Sequence, residues 1–171
     1  MKIIILKNNL KNSLDSVSKI VGEKTSLPIL KNILIKAEKG KINIISTDLE
    51  TAIIKTVAGK IMEEGQITIP FSIFNSIINN IQSERIDIEN KELSILIKTD
   101  SYEAKIQGMN HEEFPIIPKI EIKNEYIEIK GDILKESFLS VMGAAQISEL
   151  RPEISGVMIC LLYTSPSPRD A

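Results

Sequence analysis

The hydrophobic and polar positions of this chain follow two periods. Over short stretches every second residue is apolar, as where Ile86 and Ile88 or Ala104 and Ile106 alternate with polar neighbours, the signature of a half-buried strand. Elsewhere apolar residues return at i, i+4 and i+7, as in Leu10, Leu14 and Val17, which places them on one helical face. Read this way, the chain opens with a strand over 2–6 and a helix over about 9–21, capped by Asn8 or Asn9 and stopped by Gly22. After a loop over 23–27, strands come at 29–37, 41–46, 51–58 and 66–69, punctuated by Gly40 and by a turn region from Gly59 to Gly65. A helix over 72–81 interrupts them, with Phe74, Ile78 and Ile81 on its apolar face. Three more strands follow at 85–89, 93–99 and 102–107, the first two joined by a tight turn at Asn90-Lys91. The pattern predicts an α+β fold: antiparallel strands with paired helices.

The chain also repeats itself. Leu10-Lys11-Asn12-Ser13-Leu14-Asp15-Ser16-Val17 recurs as Leu134-Lys135-Glu136-Ser137-Phe138-Leu139-Ser140-Val141, each copy after a short strand, 2–6 or 125–129. Leu134, Phe138 and Val141 keep the helical spacing of the first copy. A weaker copy, strand 66–69 and then Phe74, Ile78 and Ile81, lies between them. Repeats this far apart imply duplicated domains or half-domains rather than a short-period solenoid.

Specific motifs accompany the repeat. Ser26-Leu27-Pro28-Ile29-Leu30-Lys31-Asn32 starts a strand, Lys39-Gly40 turns it, and the next strand ends in Ser46-Thr47-Asp48-Leu49-Glu50-Thr51. Ile69-Pro70, Phe114-Pro115 and Arg151-Pro152 with Gly156 follow in order. In this order the motifs resemble the N-terminal domain and the start of the central domain of the bacterial beta sliding clamp, the DNA polymerase III beta subunit. The resemblance implies the DNA clamp fold, in which each domain has curved antiparallel sheet with two helices on one face. It divides the chain into a first clamp domain over 1–118, a linker over 119–125 and the start of a truncated central domain over 126–159; the stretch 109–124, with Pro115 and Pro118 and no helical period, reads by itself as linker-like. It further implies a non-catalytic processivity factor that encircles double-stranded DNA without sequence specificity and tethers the replicative polymerase. Its partners would be a second subunit, head to tail, the clamp loader and DNA polymerase III subunits.

Composition is compatible with that picture and narrows it. With 43% hydrophobic and 26% charged residues the chain is globular, and 4% aromatics with no Trp leave a core of Ile, Leu and Val. No apolar run approaches the roughly 18 residues of a membrane span, so a cytoplasmic protein with no membrane partner is expected. One Cys excludes an internal disulfide framework and a multi-cysteine metal site. The net charge of −2 argues against tight phosphate binding, yet a clamp that slides needs only a positive inner surface. Lys7, Lys11 and Lys19 on the first helix, Lys24 after it, and Lys130 and Lys135 around the later helix are the candidates, required by the clamp reading to share one concave side. Lys24 leads them, because the resemblance puts a DNA-touching basic residue just before Thr25-Ser26-Leu27-Pro28. The helix over 72–81 has no basic residue where the family commonly has one, leaving Asn75, Asn79 and Asn80.

Catalytic and metal chemistry find no constellation. Asp48 and Glu50 lack a nearby His or Cys and read as a turn, with Asp48 bonding local amides, while His111 stands alone in a polar loop. No cofactor is expected. Two binding surfaces complete the reading. By the resemblance, the strand over 102–107 is an edge at the dimer seam, with Ser101, Glu103, Lys105 and Ile106, and Arg151 and Pro152 sit on the rim of the pocket that takes partner peptides. From Cys160 the composition changes, and Pro166 and Pro168 cannot continue a central strand. Residues 160–171 are read as a non-native tail translated from a sequencing adapter. The competing reading of the whole is a self-contained β-rich interaction module that binds peptides through a sheet edge.

Overall fold

A computed structural model describes residues 1–21, 27–118, 126–145 and 155–160. The chain divides into two units, Met1–Lys119 and Ile120–Ala171.

The first unit runs β1 (Lys2–Leu6), α1 (Lys7–Val17), β2 (Asn32–Glu38), β3 (Lys41–Thr47), β4 (Ala52–Val57), β5 (Gly59–Glu63), β6 (Gly65–Pro70), α2 (Phe71–Asn80), β7 (Arg85–Lys91), β8 (Ser94–Lys98) and β9 (Glu103–Gln107). Short 3-10 turns occupy Pro28–Lys31 and His111–Glu113. The strands form two antiparallel sheets, ordered β5-β1-β7-β8-β9 and β4-β3-β2-β6. Alternation sorts their faces: Ile3 and Ile5, Ile33 and Ile35, Ile42 and Ile44, Ile67 and Ile69, Ile86 and Ile88, and Ile95 and Ile97 are all buried. They join Leu10, Leu14 and Val17 of α1 and Phe74 and Ile78 of α2 in one core. Each fully buried side chain of this size contributes about 1.5–3 kcal/mol, so the domain stands on its isoleucine rows. Lys39 (φ 50) and Gly40 (φ 75) form the β2–β3 hairpin turn, where two successive positive φ values suit the right-handed twist of the strands.

Several sequence expectations are corrected. The segment from Gly59 to Gly65 is not simply a turn, because β5 fills most of it and pairs with β1. Its two glycines mislead: a Cβ at Gly59 would lie 2.7 Å from the Ile4 carbonyl oxygen, so this glycine permits close strand approach. The first helix starts directly after β1, at Lys7, and needs neither Asn8 nor Asn9 as a side-chain cap. The Lys7 amide donates instead to the Glu84 carbonyl at 2.7 Å, a tertiary partner that sequence cannot reveal. That helix ends at Val17, and Gly22 lies outside the described residues. The β7–β8 turn sits at Glu92-Leu93, with Glu92 at φ 55, rather than at Asn90-Lys91. Within the linker-like stretch 109–124, Met109 to Phe114 are part of the first unit: the Met109 amide donates to the Thr68 carbonyl at 2.8 Å, and Phe114 is buried.

The second unit contains α3 (Gly131–Met142). The strand expected over 125–129 is not formed among the described residues 126–130. β1 is a strand because β5 and β7 flank it, and no described strand pairs with the later copy. The segment 119–125 lies outside the described residues.

Candidate nucleic-acid interface

The two helices of the first unit pack side by side and turn their polar faces outward. Leu10, Leu14 and Val17 face the core, leaving Asn8, Lys11, Asn12 and Asp15 exposed; Phe74 and Ile78 do the same for α2, leaving Ser72, Ile73, Ser76, Asn79 and Asn80 exposed. This surface is poor in acid. Asp15 is the only carboxylate on α1, and α2 has no ionisable residue. The amides are partly spoken for: Asn79 Nδ2 donates to Asn75 Oδ1 at 3.2 Å, and Asn80 Nδ2 donates to the Ser76 carbonyl at 2.8 Å.

The candidate lysines are not equivalent. Lys7 is half-buried, and its Nζ donates to the Ile81 carbonyl at 2.5 Å, placing a cation on the C-terminal end of α2 where the helix dipole favours it. Its first role is to join the helices. Lys11 and Lys19 are exposed, whereas Lys24 lies outside the described residues. Lys130 and Lys135 are exposed at the start of α3 and on it, in the second unit. Sequence reasoning missed Lys55. It is exposed on β4 directly across from buried Ile44, hence on the core-facing side of that sheet, and α1 packs against the same strand. The signal was available in the alternation of Ile53, Lys55 and Val57.

β9 is the outer strand of its sheet. Ser101, Glu103 and Lys105 are exposed, and Glu103 already pairs with Lys98 at 3.4 Å. Ile106 is different: it is 3% exposed, lies opposite Ile95 and packs into the core, so its side chain offers nothing to a partner in this structure. Arg151 and Pro152 lie outside the described residues, as does the segment 161–171.

The remaining polar groups have structural work. Asp48 Oδ1 accepts from the amides of Glu50 (3.0 Å) and Thr51 (2.6 Å), and Thr47 Oγ1 accepts from Leu49 N, locking the β3–β4 hairpin around Leu49 at φ 79. On the outer face, Asp87 binds Arg85 through both carboxylate oxygens, at 2.9 and 3.1 Å, and that hydrogen bonding pushes the guanidinium pKa up. Among the described residues no three His, Cys, Asp or Glu side chains gather where they could hold a metal, and no helix is long and apolar enough to cross a membrane.

A helix pair with an acid-poor polar face, laid on two antiparallel sheets, is the architecture the motifs anticipated. The family model for the DNA polymerase III beta subunit, N-terminal domain, matches residues 1–118. The chain belongs to the beta sliding clamp family. The beta sliding clamp of Bacillus subtilis is 30% identical over 167 residues, covering 92% of this chain and 44% of the relative. The chain thus spans less than half the length of that curated clamp. A crystal structure of the Bacillus subtilis DNA polymerase sliding clamp superposes with a TM-score of 0.81 at 27% identity, over 89% of this chain and 42% of that one. The Helicobacter pylori beta clamp bound to DNA ligase peptide superposes with a TM-score of 0.78 at 26% identity, over 88% and 42% of the two chains.

Proposed function

We propose that this chain contributes the first domain and the opening of the second to a clamp that encircles duplex DNA and tethers the replicative polymerase. The observation that carries the reading is the outward face of α1 and α2, which has Lys7, Lys11 and a single carboxylate in a chain whose net charge is −2. A surface that repels phosphate weakly and grips it weakly suits a ring that must slide. Lys11, Lys19 and Lys55, with Lys24, Lys130 and Lys135, line the DNA path, and Lys7 orders the helices that form it. The domains run over 1–118 and 126–159, joined by 119–125, with 160–171 as a non-native tail. Such a subunit is an accessory factor without catalysis of its own and works in the cytoplasm with the chromosome. β9 pairs head to tail with a second subunit through its free backbone edge, Ser101, Glu103 and Lys105 setting the charge at the seam. Clamp loader and DNA polymerase III subunits are the remaining partners. The ligase peptide bound to the Helicobacter pylori clamp supports a peptide-capturing role, for which Arg151 and Pro152 form a rim.

The test replaces the first domain of the Bacillus subtilis clamp with residues 1–118 of this chain. The chimera is loaded onto nicked circular DNA, and the circle is then cut. Release on linearisation is the expected result and reports topological linkage. Retention on linear DNA would mean contact-based binding, and failure to associate would favour the sheet-edge interaction module.

A further inference from the structure

The outward face of α2 keeps hydrogen-bond donors free where the other helices use theirs up. On α1, Ser13 Oγ and Ser16 Oγ donate to the carbonyls of Asn9 and Asn12, and on α3 Ser137 Oγ and Ser140 Oγ donate to those of Ile133 and Glu136, all at 2.8–2.9 Å. Helical serines commonly spend their hydroxyls on the preceding turn in this way. Ser76, in the middle of α2, makes no such bond among the described residues, and its own carbonyl accepts from Asn80 Nδ2 at 2.8 Å. Asn75 and Asn79 add to the store. Asn79 Nδ2 donates to Asn75 Oδ1 at 3.2 Å, which fixes the Asn75 amide with its oxygen taken and both Nδ2 hydrogens unused, while Asn79 keeps a second hydrogen. Phe74 and Ile78 turn to the core, so Ser76 and Asn79 are exposed and Asn75 is half-buried.

Charge contributes little to this face. α2 has no ionisable residue, and β6, which packs against it, has none either. On the neighbouring α1, exposed Lys11 is followed one turn later by exposed Asp15. Lys7 is committed to the Ile81 carbonyl, and Glu84 stands exposed beyond the end of α2. Cations and carboxylates around the helix pair are therefore close to balance, and what α2 itself offers is neutral donors. Phosphate oxygens accept from Asn and Ser side chains, and such a bond, unlike one from Lys, adds no charge that would release a counterion.

We propose that α2 touches the DNA backbone through Ser76 Oγ, Asn75 Nδ2 and Asn79 Nδ2, a neutral contact whose contribution to binding is independent of salt. The proposal rests on the helix pair being the DNA face. It divides that face into a salt-sensitive part at Lys11, Lys19 and Lys55 and a salt-insensitive part on α2. Neutral hydrogen bonds are individually weak, so one phosphate can be exchanged for the next as the duplex moves.

The experiment follows amide shifts of the 15N-labelled full chain as a mixed-sequence duplex of about 12 base pairs is added, at several NaCl concentrations from about 10 to 100 mM. Lys11→Gln should weaken binding and flatten the plot of log affinity against log salt by about 0.9, the slope of one neutralised phosphate. Asn75→Ala/Asn79→Ala should weaken binding about two- to tenfold at every salt concentration and leave the slope unchanged. Asn79→Lys should tighten binding and steepen the slope by about 0.9. Alanine favours helix, so the spectrum of the double variant away from α2 should match the parent and show an intact fold. Parent-like binding by the double variant, a slope that changes with it, an unchanged slope for Asn79→Lys, or no α2 shifts with DNA would each overturn the proposal. If the chimera is nevertheless released on linearisation, the clamp reading stands and only the neutral contact falls; if the chimera also fails to associate, both fall.

Discussion

α1 and α3 are written in almost the same letters and meet opposite fates. Leu10, Leu14 and Val17 are 0% exposed, whereas Leu134 is 37% and Val141 47% exposed at the matching positions. Both helices carry the i, i+4, i+7 row. The difference lies in what faces the row: α1 packs on β1, β3, β4 and α2, and no described strand of the second unit covers α3. A periodic pattern therefore names the face that can be buried, and the strands supplied by distant sequence decide whether it is. The free energy follows the burial and not the pattern.

The largest effect should come from testing that row directly. Leu14→Ala should destabilise the first unit by about 2–5 kcal/mol in urea unfolding, while Leu134→Ala should fall within about 0.5 kcal/mol of the parent. Equal losses would mean that α3 is packed in solution. Glycines provide a second contrast. A Cβ at Gly108 would lie 2.5 Å from the Thr68 carbonyl oxygen, and one at Gly143 would meet nothing within 4 Å. Gly108→Ala should cost about 1–3 kcal/mol by forcing β6 and the β9 exit apart, whereas Gly143→Ala should be neutral. Thermal melts of the two variants separate these cases.

Lysines offer a finer contrast. Lys7→Met removes the bond to the Ile81 carbonyl and should cost about 1 kcal/mol, while Lys135→Met, on exposed α3, should cost nothing measurable. If Lys7→Met is also silent, its bond does not hold α2. The smallest effect is expected in the β3–β4 hairpin, where Asp48→Ala removes two amide bonds at the exposed turn and should lower stability by about 0.5–1 kcal/mol. Hydrogen exchange at Glu50 and Thr51 would report the loss locally.

Much of the architecture was legible beforehand, and the misses have physical causes. β1 has the bounds that its pattern predicts, and β3, β6, β8 and α2 lie within a residue or two of theirs, because each carries a clear apolar period between turn residues. β5 is not legible in the pattern, since Gly59 and Gly65 bracket a stretch with only Ile61 and Met62 to suggest a strand, and its existence depends on β1 being there to pair with it. The start of α1 differs from the pattern because the Glu84 carbonyl, far along the chain, accepts from the Lys7 amide where a side-chain cap would be expected to act. Among the candidate site residues, charge alone could not foresee that Lys7 bonds the end of α2, that Lys55 shares the core-facing side of β4, or that Ile106 is sealed in the core.

By itself the sequence determined local periods, turn chemistry and an order of motifs specific enough to name a family, because each of these depends on neighbours within a few residues. Only the tertiary structure decided which apolar rows are covered, how the strands divide between two sheets, and which lysines are engaged by backbone carbonyls. Those outcomes depend on pairings between residues far apart in the chain, where register and close approach are set by the whole fold and no short window contains both partners.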